Sequence, residues 1–323
     1  MTAHPPAPAD TRDGPLEMIS FVGLEPGPRL IVTGAVHGNE TCGPNAIARI
    51  IEDIRGGGLV VARGEVTFVP ICNRRAYRQR TREGERNLNR DLRDKPVPQD
   101  YEDRVGNILC RALRAHDALL DVHSFRGEGP PFVFFGPQDN HGPLEAFRHA
   151  TQEAALAGSL GVDVAMYGWL DVYERLHVAR ARLGLPALAP TEGFGTTEYM
   201  RFAGGYGVTL ECGRHADPAS VDVGERAIRG ALAQVGLTDD PKPTPRIKTL
   251  IRLDDVIMRE HAGDRLEGAW KTGDAIAAGQ PLARRADGTI LAAPRDGFIV
   301  FPDPKAEIGR GLCFFGVAAA RAI

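Results

Sequence analysis

The chain alternates short apolar runs with amphipathic stretches as far as residue 238, then changes texture. Arg29-Leu-Ile-Val-Thr-Gly34 is a β-branched run closed by glycine, the pattern of a buried strand. Pro44 opens a helix that puts Ile47, Ile50, Ile51 and Ile54 on one face, and Gly56-Gly57-Gly58 stops it. Val66 to Cys72 reads as a second strand, with Pro70 implying a bend or a sheet edge near its end. Asn73 to Pro98 is polar, arginine-rich and aperiodic, which predicts a long functional loop. Tyr101 to Ala115 is predicted as a helix burying Val105, Ile108, Leu109 and Leu113. Strands are expected over Ala118–Val122, Phe132–Phe135 and Tyr206–Cys212, and a helix over Leu144–Leu160. Ala227, Ile228, Ala231, Leu232 and Val235 mark a closing helix that ends at Gly236.

This alternation predicts an α/β fold with a doubly wound, mixed but mostly parallel sheet. Residues 1–15 read as a flexible tail and 16–238 as the catalytic domain, with 239–245 as a stiff proline-rich linker. In 246–323 the signals become short β segments between Gly and Asp turns, such as Lys271-Thr-Gly-Asp274 and Arg295-Asp-Gly297, so a small C-terminal all-β domain is expected.

Composition narrows the function. A length of 323 residues leaves room for one large α/β domain and a small one, and a net charge of −3 gives no global field for nucleic acid. Arginine supplies 34 of the 39 basic residues, a store of forked donors for carboxylates. Cys42, Cys72, Cys110, Cys212 and Cys313 are scattered, odd in number and without a CxxC pair, which argues against a disulfide framework and for a reducing compartment. Met1–Pro15 lacks an apolar signal core, and no apolar run reaches membrane-spanning length. A cytoplasmic protein with no membrane and no nucleic-acid partner is expected.

The chemistry gathers at strand ends. His37-Gly-Asn-Glu40 stands where a strand gives way to a helix, and a histidine and a carboxylate three residues apart on a turn can close on one metal ion. His123, at the end of Leu119-Leu-Asp-Val-His-Ser124, supplies a third ligand. Three protein ligands leave a fourth position for water, which separates a catalytic zinc from a structural one and predicts hydrolysis. Glu211 ends a third strand. Ligands in doubly wound folds collect at such carboxyl ends. Asp121 faces the same side as His123 and reads equally well as the orienter of a ligand histidine or as a plain buried hydrogen-bonding residue.

Each residue also has a plainer reading. His37 is then a turn histidine, Glu40 a helix-start carboxylate favoured by the dipole, and Glu211 a strand-end acid. Arg82, Asn89 and Arg90 would belong to a solvated loop whose arginines pair with Glu83, Glu85, Asp91 and Asp94. Those interleaved acids and the scarcity of stacking aromatics exclude a nucleic-acid patch. His215 and the remaining histidines lack partner spacing and read as surface or core.

Together Gly34-Ala-Val-His-Gly-Asn-Glu40, Asn73-Arg-Arg-Ala76, Thr81-Arg82, Asn87-Leu-Asn-Arg-Asp91, Asp121-Val-His123, Arg201 and Val208-Thr-Leu-Glu-Cys-Gly213 resemble the succinylglutamate desuccinylase/aspartoacylase family, relatives of zinc carboxypeptidases, over nearly the whole chain. The resemblance implies a zinc carboxypeptidase-like fold and one Zn²⁺ per chain held by His37, Glu40 and His123. It casts Glu211 as general base and acid and Arg82 as the residue polarising the scissile carbonyl. Asn89 and Arg90 then bind a substrate carboxylate, and Arg201 is a second clamp or, equally, one half of a structural ion pair. The last segment resembles the family's β domain and, more distantly, biotinyl/lipoyl-type folds. No lysine lies at a hairpin tip, which disfavours a carrier role. The family's substrate-binding tyrosine has no counterpart near Leu312-Cys-Phe-Phe-Gly316, which puts an acyl-aspartate substrate in doubt.

The expected function is therefore zinc-dependent hydrolysis of a small anionic N-acyl amino acid or related amide, with a homo-oligomer left open. A carboxypeptidase acting on short peptides shares the same chemistry. A catalytically silent binding or carrier protein is the reading from a different class.

Overall fold

The structure is a computed structural model that describes residues 14–142, 146–321 and 323. The expected tail lies outside these residues except for its last two, as does the segment where the helix from Leu144 was expected to begin. The chain runs β1 (Ile19–Val22), β2 (Glu25–Gly34), α1 (Cys42–Gly56), β3 (Arg63–Val69), α2 (Arg74–Gln79), α3 (Tyr101–Arg114), β4 (Ala118–Phe125) and β5 (Phe132–Phe134). It continues through α4 (Ala150–Gly158), β6 (Val164–Tyr167), α5 (Trp169–Arg182), α6 (Thr196–Phe202), β7 (Tyr206–Arg214) and α7 (Ala219–Val235). The C-terminal part is all strand: β8 (Thr249–Met258), β9 (Arg265–Leu266), β10 (Ala275–Ile276), β11 (Pro281–Arg284), β12 (Ile290–Ala292), β13 (Gly297–Val300) and β14 (Gly311–Ala318).

One large sheet takes the order β1-β3-β2-β4-β7-β5-β6-β8-β14-β13-β10. Strands β3, β2, β4 and β7 run parallel, as do β5, β6 and β8 among themselves; β5 meets β7 antiparallel. Strands β9, β11 and β12 form a separate small antiparallel sheet. The C-terminal strands also extend the central sheet, because β8 pairs in parallel with β6 from Val164↔Thr249 onward.

Alternation along the parallel strands separates two cores. Leu30, Val32, Leu120, Val122, Val208 and Leu210 pack under α1 and α7, against Ile47, Ile50, Ile228 and Leu232. Ile31 and Leu119 point to the other face, under Leu109 and Leu113 of α3 and Met200 of α6. Thr33, Asp121, His123 and Glu211 share the parity of Ile31 and Leu119, so the sheet delivers them to the α3/α6 side.

Several local expectations are corrected. Ile108 is 42% exposed, because the buried stripe of α3 runs through Tyr101, Val105, Leu109 and Leu113, and Ile108 lies about 100° away from it. The arginine-rich loop contains α2, whose N-cap Asn73 accepts from Ala76 N–H at 3.0 Å. Among the described residues, the helix expected over 144–160 begins at Ala150. Strands β1 and β6 and helices α5 and α6 were not anticipated, being short or weakly periodic.

Candidate metal centre and active site

The turn after β2 is forced into shape by close packing. Ala35 adopts φ +44°, and Gly38 lies so close to α2 that a Cβ there would sit 1.9 Å from the Ala76 carbonyl carbon. This folds His37 and Glu40 back over the end of β4. Both are buried, as are His123 and Asp121.

Glu40 stands between the two imidazoles. Its Oε1 is 2.9 Å from His37 Nδ1, and its Oε2 is 2.9 Å from His123 Nδ1 and accepts from Ser124 N–H at 3.1 Å. The outer nitrogens have oxygen partners of their own. His37 Nε2 is 3.0 Å from Asn87 Oδ1, and His123 Nε2 is 2.8 Å from Asp121 Oδ2. A proton on each Nε2 satisfies those oxygens and leaves both Nδ1 lone pairs facing the carboxylate. Two lone pairs and a carboxylate directed at one another repel unless positive charge, a proton on Nδ1 or a metal ion, lies among them. One donor atom from each of His37, Glu40 and His123 falls within 4.8 Å of the others. Nitrogen, nitrogen and carboxylate oxygen in a buried cluster of this size fit a zinc-type divalent ion.

The electrostatics are uneven. Burial, with the Arg82 guanidinium, brings His37 down to about 4. His123 is raised despite its burial, because Asp121 and Glu40 both favour its charged form. Glu40 is held well below the carboxylate range: burial opposes this, but the two histidines outweigh it. Glu211 behaves differently. Burial, reinforced by the Glu40 charge, pushes it up to about 8, and its Oε2 is buried with no hydrogen-bond partner. An orphaned carboxyl oxygen beside a charge cluster suits a group that holds and releases a proton.

The remaining expected residues ring a cavity of about 1440 Å³ that the site opens into. Arg82 donates to Glu40 Oε1 at 3.2 Å and keeps 41% of its side chain exposed. Asn89 caps α6 by accepting from Thr196 N–H at 2.9 Å. Arg90 lies over the rings of Trp169 and Tyr173, at 5.4 and 5.2 Å. Arg201 also borders the cavity, but it is buried, with Nε donating to Glu153 at 2.9 Å and its other nitrogens directed at Glu198 and the Gly207 carbonyl. The loop itself is held by buried Glu102, which accepts from Asn73 Nδ2 and the Gly84 amide, and by Arg86, which bridges Asp100 and Asp103.

Sequence reasoning missed Asn87, whose role needs the loop folded back onto His37. It also passed over His215, whose Nδ1 is 2.8 Å from Ser124 Oγ at the cavity edge. Its place four residues after Glu211 was the available signal.

Residues 26–131 match the family model described as the succinylglutamate desuccinylase/aspartoacylase catalytic domain. The matched segment is similar to that family's catalytic domain. It contains His37, Glu40, Arg82, Asn89, Arg90 and His123. Among solved structures, a succinylglutamate desuccinylase/aspartoacylase from Rhodobacter sphaeroides is similar at 18% identity and TM-score 0.71, covering 94% of this chain and 89% of that one. The product-bound ectoine utilization protein EutE (DoeB) from Ruegeria pomeroyi is similar at 20% identity and TM-score 0.69, with 94% and 89% covered. A succinylglutamate desuccinylase from Vibrio cholerae gives 20% identity and TM-score 0.69, with 93% and 85% covered. These likenesses establish the mixed α/β fold with its large central sheet. The comparison with curated proteins gave no significant match. Among the described residues no helix is long and apolar enough to cross a membrane.

Proposed function

We propose that this protein is a zinc-dependent amidohydrolase, a deacylase that releases the acyl group of a small anionic N-acyl amino acid or related amide in the cytoplasm. One observation carries the reading: the His37/Glu40/His123 donor set lies beside a buried carboxyl, Glu211, that has an unpartnered oxygen and a raised pKa.

His37, Glu40 and His123 would hold the ion, with Asn87 and Asp121 fixing the two rings. A bound zinc supplies Lewis acidity, which brings the pKa of water to about 7 and draws charge from an amide carbonyl. Glu211, whose ionised form the positive charge of a bound ion would favour, takes a proton on Oε2 from the attacking water and returns it to the departing amine nitrogen. Arg82, anchored through Glu40 yet partly exposed, donates to the oxygen that becomes negative. Asn89 and Arg90 orient the substrate carboxylate, and the forked guanidinium favours a planar anion. Arg201 is assigned to holding this wall in place, in view of its partners Glu153 and Glu198. We divide the chain into a catalytic part, 16–238, and a β part, 246–323, that closes one side of the cavity.

Metal analysis of the purified protein, followed by assay of the zinc-loaded form on N-acyl amino acids, tests the proposal. Stoichiometric zinc with amide hydrolysis supports it; protein that binds no divalent ion refutes it. The size of the cavity keeps a carboxypeptidase reading in view. Release of a C-terminal residue from a tripeptide, without action on N-acyl amino acids, would select that reading.

A further inference from the structure

The cavity is larger than small anionic substrates need, since typical small-molecule sites measure roughly 300–1,000 Å³, against about 1440 Å³ here. One wall is aromatic. Phe134 pairs in register with Thr209, two residues before Glu211, and so projects into the same cavity. Its ring is 5.3 Å from Trp169 at the start of α5 and 5.9 Å from Phe301, and Trp169 is 5.6 Å from Phe314 of β14. All four rings are partly exposed, line the cavity and rest on one apolar cluster, so the catalytic and C-terminal parts build the wall together.

Two details mark this wall as more than leftover packing. Phe301 adopts φ +47°, a conformation that bulky side chains avoid, and it is held there by its amide donating to Thr272 Oγ1 at 3.1 Å. Arg90 lies against Trp169 and Tyr173, so a carboxylate on its guanidinium sits beside the rings. Arg201 and Arg321, two other arginines of the cavity, are engaged, the first by Glu153 and Glu198 and the second by the carbonyls of Gly136 and Pro137. A second acidic group on the substrate would find neither of them free and would be left with Arg126 and Lys305, which are exposed on the cavity lining.

We infer that the site selects N-acyl amino acids with an aromatic side chain, the ring lying on Phe134, Trp169, Phe301 and Phe314 and the α-carboxylate on Arg90. This rests on the deacylase reading for the reaction but not for the binding. The α-carbon carries both groups, which matches the adjacency of Arg90 and the rings. An aromatic face also suits ring edges and faces better than a second carboxylate.

The test has two arms. The zinc-loaded protein is assayed on N-acetyl derivatives of L-phenylalanine, L-tryptophan, L-alanine and L-aspartate and on N-succinyl-L-glutamate. The aromatic substrates are expected to show kcat/KM at least about tenfold above the others, the range that apolar pockets discriminate. F314A, or F314L if F314A folds poorly, should lower the phenylalanine-to-alanine ratio of kcat/KM about tenfold, mainly through KM. In the second arm L-phenylalanine and L-aspartate are titrated into W270F protein, whose one remaining tryptophan is Trp169. A saturable change in emission is expected with phenylalanine only. Preference for acidic substrates, or an unchanged ratio in the variant, overturns the inference. Absence of turnover on every amide together with a Trp169 response to phenylalanine refutes the deacylase reading and supports the aromatic site. Absence of both overturns both.

Discussion

His123 and Glu211 lie directly opposite each other on neighbouring parallel strands, β4 and β7, so both side chains leave the same face of the sheet. The register brings a candidate base beside a candidate metal ligand without a loop to position either of them. Replacing Glu211 with Gln keeps the shape and removes the proton acceptor. Under the proposed reaction E211Q should lose turnover by about 10²–10⁴-fold while zinc content stays at the wild-type level. Parallel kcat and metal measurements check this, and wild-type turnover in the variant would remove Glu211 from the mechanism.

Asn87 and Asp121 touch the imidazoles on the side away from Glu40, at 3.0 and 2.8 Å. Each sets which ring nitrogen carries the proton. N87A and D121N should therefore each weaken zinc binding by about 10–100-fold, with the secondary structure unchanged by circular dichroism. Competition titration against a chelating dye reads the affinity. Unchanged affinity in both variants would mean that the rings need no such orientation.

Gly38 tests the packing that shapes the ligand turn. A methyl group added there meets the Ala76 carbonyl carbon at 1.9 Å, and the nearest atoms all belong to the Ala76–Tyr77 peptide, with no flexible side chain to yield. G38A should lose about 1–3 kcal/mol of stability and bind zinc more weakly than wild type. Urea unfolding and the same dye competition measure the two effects. A variant equal to wild type in both would show that the turn is free to shift.

What was legible in the sequence followed from signals that are local or strongly periodic. The β-branched run before Gly34 and the isoleucines of α1 mark their elements because the first is buried on both faces of the sheet and the second along one face of the helix. His37, Glu40 and His123 could be grouped because strand ends in this kind of fold converge. The C-terminal β segments were visible through their turn residues, but their continuity with the central sheet depends on β6–β8 pairing, a contact between distant segments. The aromatic wall was illegible for the same reason. Its rings come from β5, α5, the turn after β13 and β14, and no spacing along the chain joins them. Arg201 read evenly as a carboxylate clamp or as half of a structural ion pair, because its position along the chain says nothing about Glu153 and Glu198, the buried acids that the fold brings to it.

Glu153 accepts from Arg201 and from the amides of Gly136 and Gly207, so this carboxylate ties three segments together. Removing the cation leaves a buried charge without its counterpart. R201M should therefore lower stability by about 3–5 kcal/mol, and where the protein remains folded KM should move little. A direct carboxylate clamp would give the reverse, a large rise in KM with stability nearly unchanged. Thermal unfolding and steady-state kinetics on the same preparation separate the two.

In the C-terminal part, Asp264 accepts from the amides of Glu260, His261 and Ala286 and from Arg285 at 2.8 Å, with its side chain fully buried. Burial alone would raise its pKa; the amides and the guanidinium outweigh that and bring it down to about 2 from an ordinary 3.8. Because the folded value is the lower one, the stabilisation is fully present above pH 3.8 and is lost as the pH falls toward 2. The shift corresponds to on the order of 2 kcal/mol. Asp103, also lowered to about 2, titrates over the same window, so the wild-type curve alone cannot isolate Asp264. The difference between wild type and D264N can. D264N should be the less stable protein at neutral pH, and the gap should narrow as the pH drops from about 5 to 2.5. Urea unfolding across that range measures it. A gap that stays constant with pH would show that the loss in D264N comes from packing and hydrogen bonding and not from the charge.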